Sequence, residues 1–353
     1  MNLISVLPAI RRAGTLAVGA LGILASGAFA DSISPTSYSA SLGIGEKVTI
    51  RKTVTITGAP TSALIDVMFV FDTTGSMGGA IAGAKTTATS LITSLGSFGS
   101  VGSGVGFYND PGAGVRQTIS ETAATTQATI NTLSAGGGGD TPELGYDGVS
   151  AAATGGGWRA GSNRFIIALG DAPFKNGADN AATTATKLTA ANAKLVGIRF
   201  GSNATFDTSV TGLGGSVFLS STSPDAIAAA ITAGITAGLA KYSTVTVDDL
   251  GGGSGIIDVD TRCVSADSGA CVGADAVGTY DRSKERTFEF DVTFTRLAGG
   301  DLTFDTYAIV DRGIVATERD TFGTTFTTPE PATLVLMGVS LLGIGAARRR
   351  RSS

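Results

Sequence analysis

VMFVFDTTGSMGGA, residues 67–80, is the stretch on which the fold turns. An unbroken apolar run, residues 67–71, leads straight into Asp72, and Thr74 and Ser76 follow at alternate positions before a new segment begins. Continuous apolarity over that length is what a parallel strand covered on both faces requires. Beyond it Ile81, Ala84, Ala88, Leu91 and Leu95 recur at three- and four-residue steps, which places them on one face of a helix. The pattern then repeats. FIIAL (165–169) runs out into Asp171, an alanine-rich stretch over 177–194 reads as helix, and LVGIRF (195–200) reads as the next strand. Ser223-Pro224 offers an N-cap and a first-turn proline to the stripe Ile227, Ile231, Ile235 and Leu239. Strand and helix in alternation predict an α/β domain over residues 61–241, a doubly wound, Rossmann-like parallel sheet wrapped by helices.

On either side the pattern changes to period two. KVTIRKTVTITG (47–58) alternates β-branched with polar residues, as do STVTVDD, TFEFDVTFT and LTFDTYAIV after residue 242. Residues 242–327 are therefore expected to form an antiparallel β-sandwich. The early segment, 31–60, has no other sheet to join and should pair with it, so that the α/β domain is inserted in, or followed by, the sandwich.

The two ends read as addresses. Arg11 and Arg12 precede an apolar run and the small-residue site Ala28-Phe29-Ala30, the layout of a secretory signal peptide over residues 1–30. At the other end, over residues 328–353, Pro329-Glu330-Pro331 leads into an apolar stretch, 332–347, and then Arg348 to Arg351. That stretch is slightly short for about 30 Å of hydrocarbon but could serve as a transmembrane helix with tilt or local thinning. Its arginines should stay cytoplasmic. Motif, helix and arginine cluster in that order resemble the PEP-CTERM sorting signal of Gram-negative bacteria. The resemblance implies passage across the inner membrane, removal of the tail by an exosortase, and release to the cell surface or extracellular polymer. Without these ends Lys+Arg falls from 25 to 19 and Asp+Glu from 29 to 28, leaving the body near −9. A body of that sign is a poor match for nucleic acid, whose binding rests on neutralising phosphates.

The chain has no histidine, which excludes a Ser-His-Asp triad, a Cys-His pair and a histidine-bound zinc. Its two cysteines, Cys263 and Cys271, lie close together in an exported chain and point to a local disulfide across a loop.

In an open parallel sheet ligands bind beyond the carboxyl ends of the strands. Asp72 and Asp171 both occupy such ends, and GGGGDTPE brings Thr141 on a glycine-rich loop to the start of a helix. Two carboxylates with the hydroxyls of Thr74, Ser76 and Thr141, and no sulfur or imidazole, suit a hard cation that keeps several waters: Mg²⁺ above all, or Mn²⁺ or Ca²⁺. Each residue also has a local use, Asp72, Thr74 and Ser76 as helix caps, Thr141 as a helix start and Asp171 as a turn residue. Taken together they resemble the metal-ion-dependent adhesion site of the von Willebrand factor type A (VWA) domain. That site is written Asp-x-Ser-x-Ser, then a distant Thr, then a distant Asp. Here Thr74 replaces the first serine and keeps its oxygen, and the separations to Thr141 and Asp171 are those the family uses. Asp140 and Glu143 are placed to hold outer-shell waters.

The resemblance implies that an acidic group of a partner, a protein or an acidic polymer, completes the metal's coordination. The expected function is divalent-cation-dependent adhesion at the cell surface or in the extracellular matrix, with no catalysis. A structural matrix protein, in which a metal only steadies the fold, is the alternative. An aspartic-type hydrolase is a remote one. FDTTGS is like the Asp-Thr-Gly loop of aspartic proteases, but an extra threonine interrupts it, and its candidate partner, Asp267-Ser268-Gly269, follows no apolar strand. In the β domain Asp258 and Asp260, or Asp301 and Asp305, offer carboxylates to a calcium ion, though aspartates of exposed turns are the commoner reading.

Overall fold

The computed structural model describes residues 30–58 and 60–324. The signal segment, the tail with Pro329, Glu330 and Pro331, and the expected tail helix lie outside them. Among the described residues no helix is long and apolar enough to cross a membrane.

The chain opens with β1 (Ser32–Ser34), β2 (Ser37–Leu42) and β3 (Lys47–Ile56). An α/β unit follows: β4 (Ala63–Asp72), α1 (Gly78–Leu95), β5 (Gly99–Tyr108), β6 (Ala113–Ser120), α2 (Ala123–Thr132), α3 (Gly145–Gly155) and β7 (Asn163–Gly170). It continues through α4 (Ala181–Ala191), β8 (Ala193–Phe200), α5 (Thr205–Gly212), β9 (Ser216–Ser220) and α6 (Pro224–Ala240). The last part is all strand: β10 (Lys241–Asp248), β11 (Ile257–Ser265), β12 (Ala270–Val272), β13 (Asp275–Asp281), β14 (Arg286–Arg296), β15 (Leu302–Val310) and β16 (Gly313–Thr324).

The α/β sheet has the order β6-β5-β4-β7-β8-β9, parallel except for β6 at its edge. β4 lies at its centre and shows why its sequence is apolar throughout. Val67, Phe69 and Phe71 face a core built with α1 and α6, whereas Met68 and Val70 face a second core built with α3, α4 and α5. Alternate residues of one strand serve opposite layers, so neither face can be polar. The helix face read from Ile81, Ala84, Ala88, Leu91 and Leu95 is buried, as is the stripe Ile227, Ile231, Ile235 and Leu239 of α6. Ser223 caps α6, its side chain accepting from the amide of Ala226. The helix expected over 177–194 is shorter, Ala181–Ala191. Asn180 caps its start by accepting from the amides of Ala182 and Thr183, and Asn192, in the left-handed region at φ 50°, stops it.

The remaining strands form two facing sheets, β1-β3-β14-β11 and β12-β13-β10-β15-β16-β2. Early strands pair with late ones: β3 runs antiparallel to β14 and β2 lies beside β16. Pairing is antiparallel apart from the parallel β2–β16 edge, where the sequence pattern led us to expect antiparallel strands throughout. The turn at 43–46 carries the chain from one sheet to the other, so β2 and β3 are not hairpin partners and β2 joins the second sheet in the direction left open to it. Cys263 on β11 and Cys271 on β12 form a disulfide between the two sheets, with 5.3 Å between Cα atoms.

One charge lies inside the central strand. Asp66 is wholly buried, and its carboxylate accepts from the amide (2.7 Å) and Nε (2.6 Å) of Arg159. Removing one member of a buried pair strands the other without compensation. Arg159→Ala should therefore cost about 3 kcal/mol in urea unfolding; a loss below about 1 kcal/mol would mean that water reaches and solvates Asp66.

Candidate functional site

β4 pairs with β5 on one side and β7 on the other, and all three run parallel. Their carboxyl ends open into one crevice, with Asp72 at its centre. Asp72 is buried, and its Oδ1 accepts from the amide (2.9 Å) and the hydroxyl (2.7 Å) of Thr74. The Thr74 hydroxyl lies 3.4 Å from that of Ser76. Thr141 joins Thr74 and Ser76 in lining a shallow, open cleft of about 260 Å³, together with Gly137, Gly138 and Gly139. Neither Asp72 nor Asp171 lines that cleft: Asp72 reaches it through Thr74, and Asp171, which follows β7, acts on Asp72 through its charge, which works against ionisation of Asp72.

Backbone hydrogen bonds hold the three loops together. The Gly75 amide donates to Gly137 O (3.1 Å) and the Gly136 amide to Thr73 O (3.0 Å), joining the Asp72 loop to the glycine-rich loop. The Glu143 amide donates to Pro173 O (2.9 Å) and the Lys175 amide to Glu143 O (2.6 Å), joining the Thr141 segment to the loop after Asp171. The glycines are required by this closeness. Gly138 has φ +68°, and a Cβ there would come within 2.8 Å of the Thr74 methyl group.

Three residues that shape the site were not found by reading the sequence. Asn109 donates through Nδ2 to Thr73 O (2.9 Å) and Gly136 O (2.8 Å), clamping two loops, yet in sequence it is an ordinary polar residue after a strand. Tyr108 is buried beneath Gly170, with a hydroxyl that has no hydrogen-bond partner. Lys175 donates to Asp110 and lies 3.3 Å from Asp140, so its charge is engaged at the rim. Of the two outer-shell candidates, Asp140 is exposed and paired with Lys175, whereas Glu143 is buried with Oε2 unpartnered.

The electrostatics of this crevice are one-sided. Burial pushes Asp72 up to about 6 against the pull of its Thr74 bonds, and Asp171 adds to the rise. Burial, then the charges of Asp72 and Asp110, push Glu143 up to about 7. Burial, with the same carboxylates, pushes the Tyr108 hydroxyl well up. Asp72 Oδ2 is buried with no hydrogen-bond partner, and no lysine or arginine among the described residues forms an ion pair with Asp72. A buried, negatively charged cluster with an unused carboxylate oxygen beside hydroxyl donors is the environment a divalent cation fits. Among the described residues no three acidic, cysteine or histidine side chains converge as a carboxylate cage, so a cation here would rely on hydroxyl oxygens.

The other acidic positions are engaged elsewhere. Asp267 is held by Arg286 Nη1 at 2.5 Å inside the sandwich, so the second loop of a carboxylate dyad is not beside Asp72. Asp258 and Asp260 lie within β11 and Asp305 within β15, not in turns as the sequence suggested, and Asp305 pairs with Arg319 at 2.9 Å. A larger cleft of about 540 Å³, lined by Leu64, Asp249, Leu250 and Tyr307 among others, lies at the opposite end of β4; its one carboxylate, Asp249, accepts from the amide of Gly253 at 2.7 Å.

Residues 66–195 match the von Willebrand factor A domain family, and residues 327–351 match the PEP-CTERM protein-sorting motif. Among solved structures the chain is similar to a von Willebrand factor type A protein from Catenulispora acidiphila, at 14% identity and TM-score 0.43, covering 86% of this chain and 76% of that one. It is also similar to the SpRpn10 VWA domain, at 14% identity and TM-score 0.38, covering 49% of this chain and 96% of that one. A third similarity is to an aerotolerance-related membrane protein from Bacteroides fragilis, at 15% identity and TM-score 0.38, covering 49% of this chain and 99% of that one. No curated protein matches the chain.

In the metal-free protein the raised acids set a sign. An unfolded aspartate titrates near 3.9, whereas folded Asp72 does so at about 6. The folded state then binds the proton more tightly, and stability falls as pH rises between those values. Glu143 shifts in the same direction. In chelator, urea melts stepped from pH 4 to 7.5 should show a loss of about 2 kcal/mol attributable to Asp72. Asp72→Asn should abolish that part and be the more stable protein at pH 7.5. Parallel curves for the two proteins would refute the assignment.

Proposed function

The chain carries a von Willebrand factor A domain and a PEP-CTERM protein-sorting motif, and from that premise we propose that it is an exported adhesion protein that binds an acidic partner through a divalent cation. The observation that carries this reading is the buried, unpartnered Oδ2 of Asp72, whose other carboxylate oxygen accepts from the hydroxyl of Thr74 in the lining of an open, hydroxyl-bearing cleft. Asp72 and Asp171 would supply carboxylate oxygens, directly or through water, and Thr74, Ser76 and Thr141 hydroxyl oxygens. Mg²⁺ suits this set best, with Mn²⁺ or Ca²⁺ as alternatives. Bound, the ion would supply an electrophilic position open to a carboxylate of a partner protein or acidic polymer.

The chain's own residues account for the rest. Neutral hydroxyls donate weakly, so a cation held largely by them stays electrophilic even where two carboxylates balance its formal charge, which favours a further acidic group from outside. The glycine loop keeps the cleft shallow, so a side chain on another macromolecule can reach it. Nothing in this scheme moves a proton or breaks a bond, and the protein acts as a binder rather than an enzyme. The sorting motif implies processing by an exosortase, with the chain delivered through the inner membrane to the cell surface or the extracellular polymer.

Thermal melting in chelator, Mg²⁺, Mn²⁺ or Ca²⁺, beside retention on an immobilised carboxylated polymer, tests the reading. A cation at a hundred times its dissociation constant should add about 2.7 kcal/mol, a rise of a few degrees in Tm. Asp72→Ala and Thr141→Ala should lose both that rise and the retention. A cation-dependent rise with cation-independent retention would instead favour a structural matrix protein.

A further inference from the structure

The strand alternation in the sandwich is broken at three inward positions. Along β3, Val54 and Ile56 face the core, Val48 and Ile50 pack against it, and Lys52 takes the same face. Along β16, Ala316 and Phe322 face the core, with Glu318 and Asp320 between them. All three charged side chains are 0% exposed. Lys52 Nζ donates to Glu318 Oε2, lies 3.5 Å from Asp320 Oδ1 and sits 5.2 Å from the centre of the Phe294 ring. Asp320 acts on Glu318 through its charge as well, and the Thr306 hydroxyl donates to Asp320 Oδ2. Glu318 Oε1 and Asp320 Oδ1 make no hydrogen bond of their own. Phe294, Phe304 and Phe322 pack against one another here, so the pocket around the lysine is aromatic and dry.

As a set of ions this arrangement is a poor stabiliser. One ammonium cannot neutralise two carboxylates, and taking all three from water costs more than their attraction returns. As a set of reactants it is well arranged. An amine and a carboxyl are held in contact without water, with a second carboxyl beside them and a hydroxyl on the acceptor oxygen.

We propose that Lys52 and Asp320 are joined by an intramolecular isopeptide bond, formed with Glu318 as the proton carrier. Glu318 takes a proton from the Lys52 ammonium and frees the nitrogen lone pair. The nitrogen attacks the carboxyl carbon of Asp320, making the C–N bond, while the Thr306 hydroxyl donates to Oδ2 where negative charge grows. Glu318 delivers its proton, and then a second one taken from the same nitrogen, to Oδ1; the C–O bond breaks and one water leaves. Ammonium plus carboxylate become amide plus water, Glu318 is regenerated, and nothing is oxidised or reduced. Fixed proximity replaces the activation that such a condensation needs in solution. Burial, opposed by Lys52, pushes Glu318 up to about 7, where a carboxyl both accepts and returns a proton readily. Asp320 is the acceptor because Glu318 already accepts from the lysine and because the Thr306 hydroxyl rests on the Asp320 oxygen.

The bond would tie β3 of one sheet to β16 of the other and enclose the whole α/β unit between its ends. Its test is independent of the metal site. Arg51 and Arg319 immediately precede the two residues, so trypsin cuts before each, and the amide on the Lys52 nitrogen blocks the cut that would otherwise follow Lys52 and leaves it at the start of its peptide. Digestion of the reduced, folded full chain should give a branched peptide, one water lighter than the two linear peptides together, with fragmentation placing the junction at Lys52 and Asp320. In Glu318→Gln, checked for native circular dichroism, the branched fraction should fall at least about tenfold. Linear peptides alone from folded wild-type protein would overturn the bond. A junction at Glu318, or undiminished branching in Glu318→Gln, would overturn the assigned roles.

Discussion

The constraint on which the structure depends is the double coverage of β4. A strand whose alternate residues feed two separate helix layers must be apolar wherever the layers cover it, save where a charge is paired as Asp66 is by Arg159, and the unbroken run 67–71 changes character only where the layers stop. That point is Asp72. The carboxylate is thus delivered to the rim of the sheet by the same packing that makes the sheet central, and it arrives buried rather than solvated. Its raised pKa, its unpartnered oxygen and its nearness to Asp171 all follow from that position.

The remaining donors depend on loops, and a loop holds a precise position only if its backbone is tied. Here the ties are backbone to backbone: Gly75 to Gly137, Gly136 to Thr73, Glu143 to Pro173 and Lys175. Glycine at 138 permits the close approach, and Asn109 adds side-chain bonds to both partners. The result concentrates acid around Asp72, with which no basic side chain among the described residues forms an ion pair. Lys175, the cation nearest in the loops, is drawn away to Asp110 and Asp140.

Much of this was legible in the sequence because it is written as periodicity. The apolar run at 67–71, the three-and-four spacing of α1 and the capped stripe of α6 each carry one structural meaning, and the oxygen-bearing residues fall at strand ends that the same pattern predicts. The parallel β2 edge was not legible, because period-two alternation fixes which face a residue takes but not the direction of the strand beside it. Asn109 and Tyr108 were not legible either, since their roles arise from loops that meet only in three dimensions. Lys52 is a different case. Its inward parity could be read from KVTIRKTVTI, but a lysine among alternating polar residues reads equally well as solvated, and only the arrival of Glu318 and Asp320 from the far end of the chain gives it a partner.

The two parts of the molecule divide its work accordingly. The α/β unit leaves the sandwich after β3 and returns at β10, so force applied at the Asp72 cleft enters the sandwich through both connections. Along the chain alone, only the β10 side continues toward the C-terminal tail. The β3 side ends at the N-terminal strands, held by ladder hydrogen bonds to β14 and by the neighbouring β2–β16 edge. A covalent link from Lys52 to Asp320 gives that second connection its own route to β16, so that any load on the α/β unit is shared between two backbone paths instead of peeling one strand at a time. A sandwich with a charge triad at its centre would be a weak anchor if the ions remained ions. Converted to an amide, Lys52 and Asp320 no longer carry buried charge, so that only Glu318 keeps a desolvation penalty, and the link between the two sheets becomes covalent.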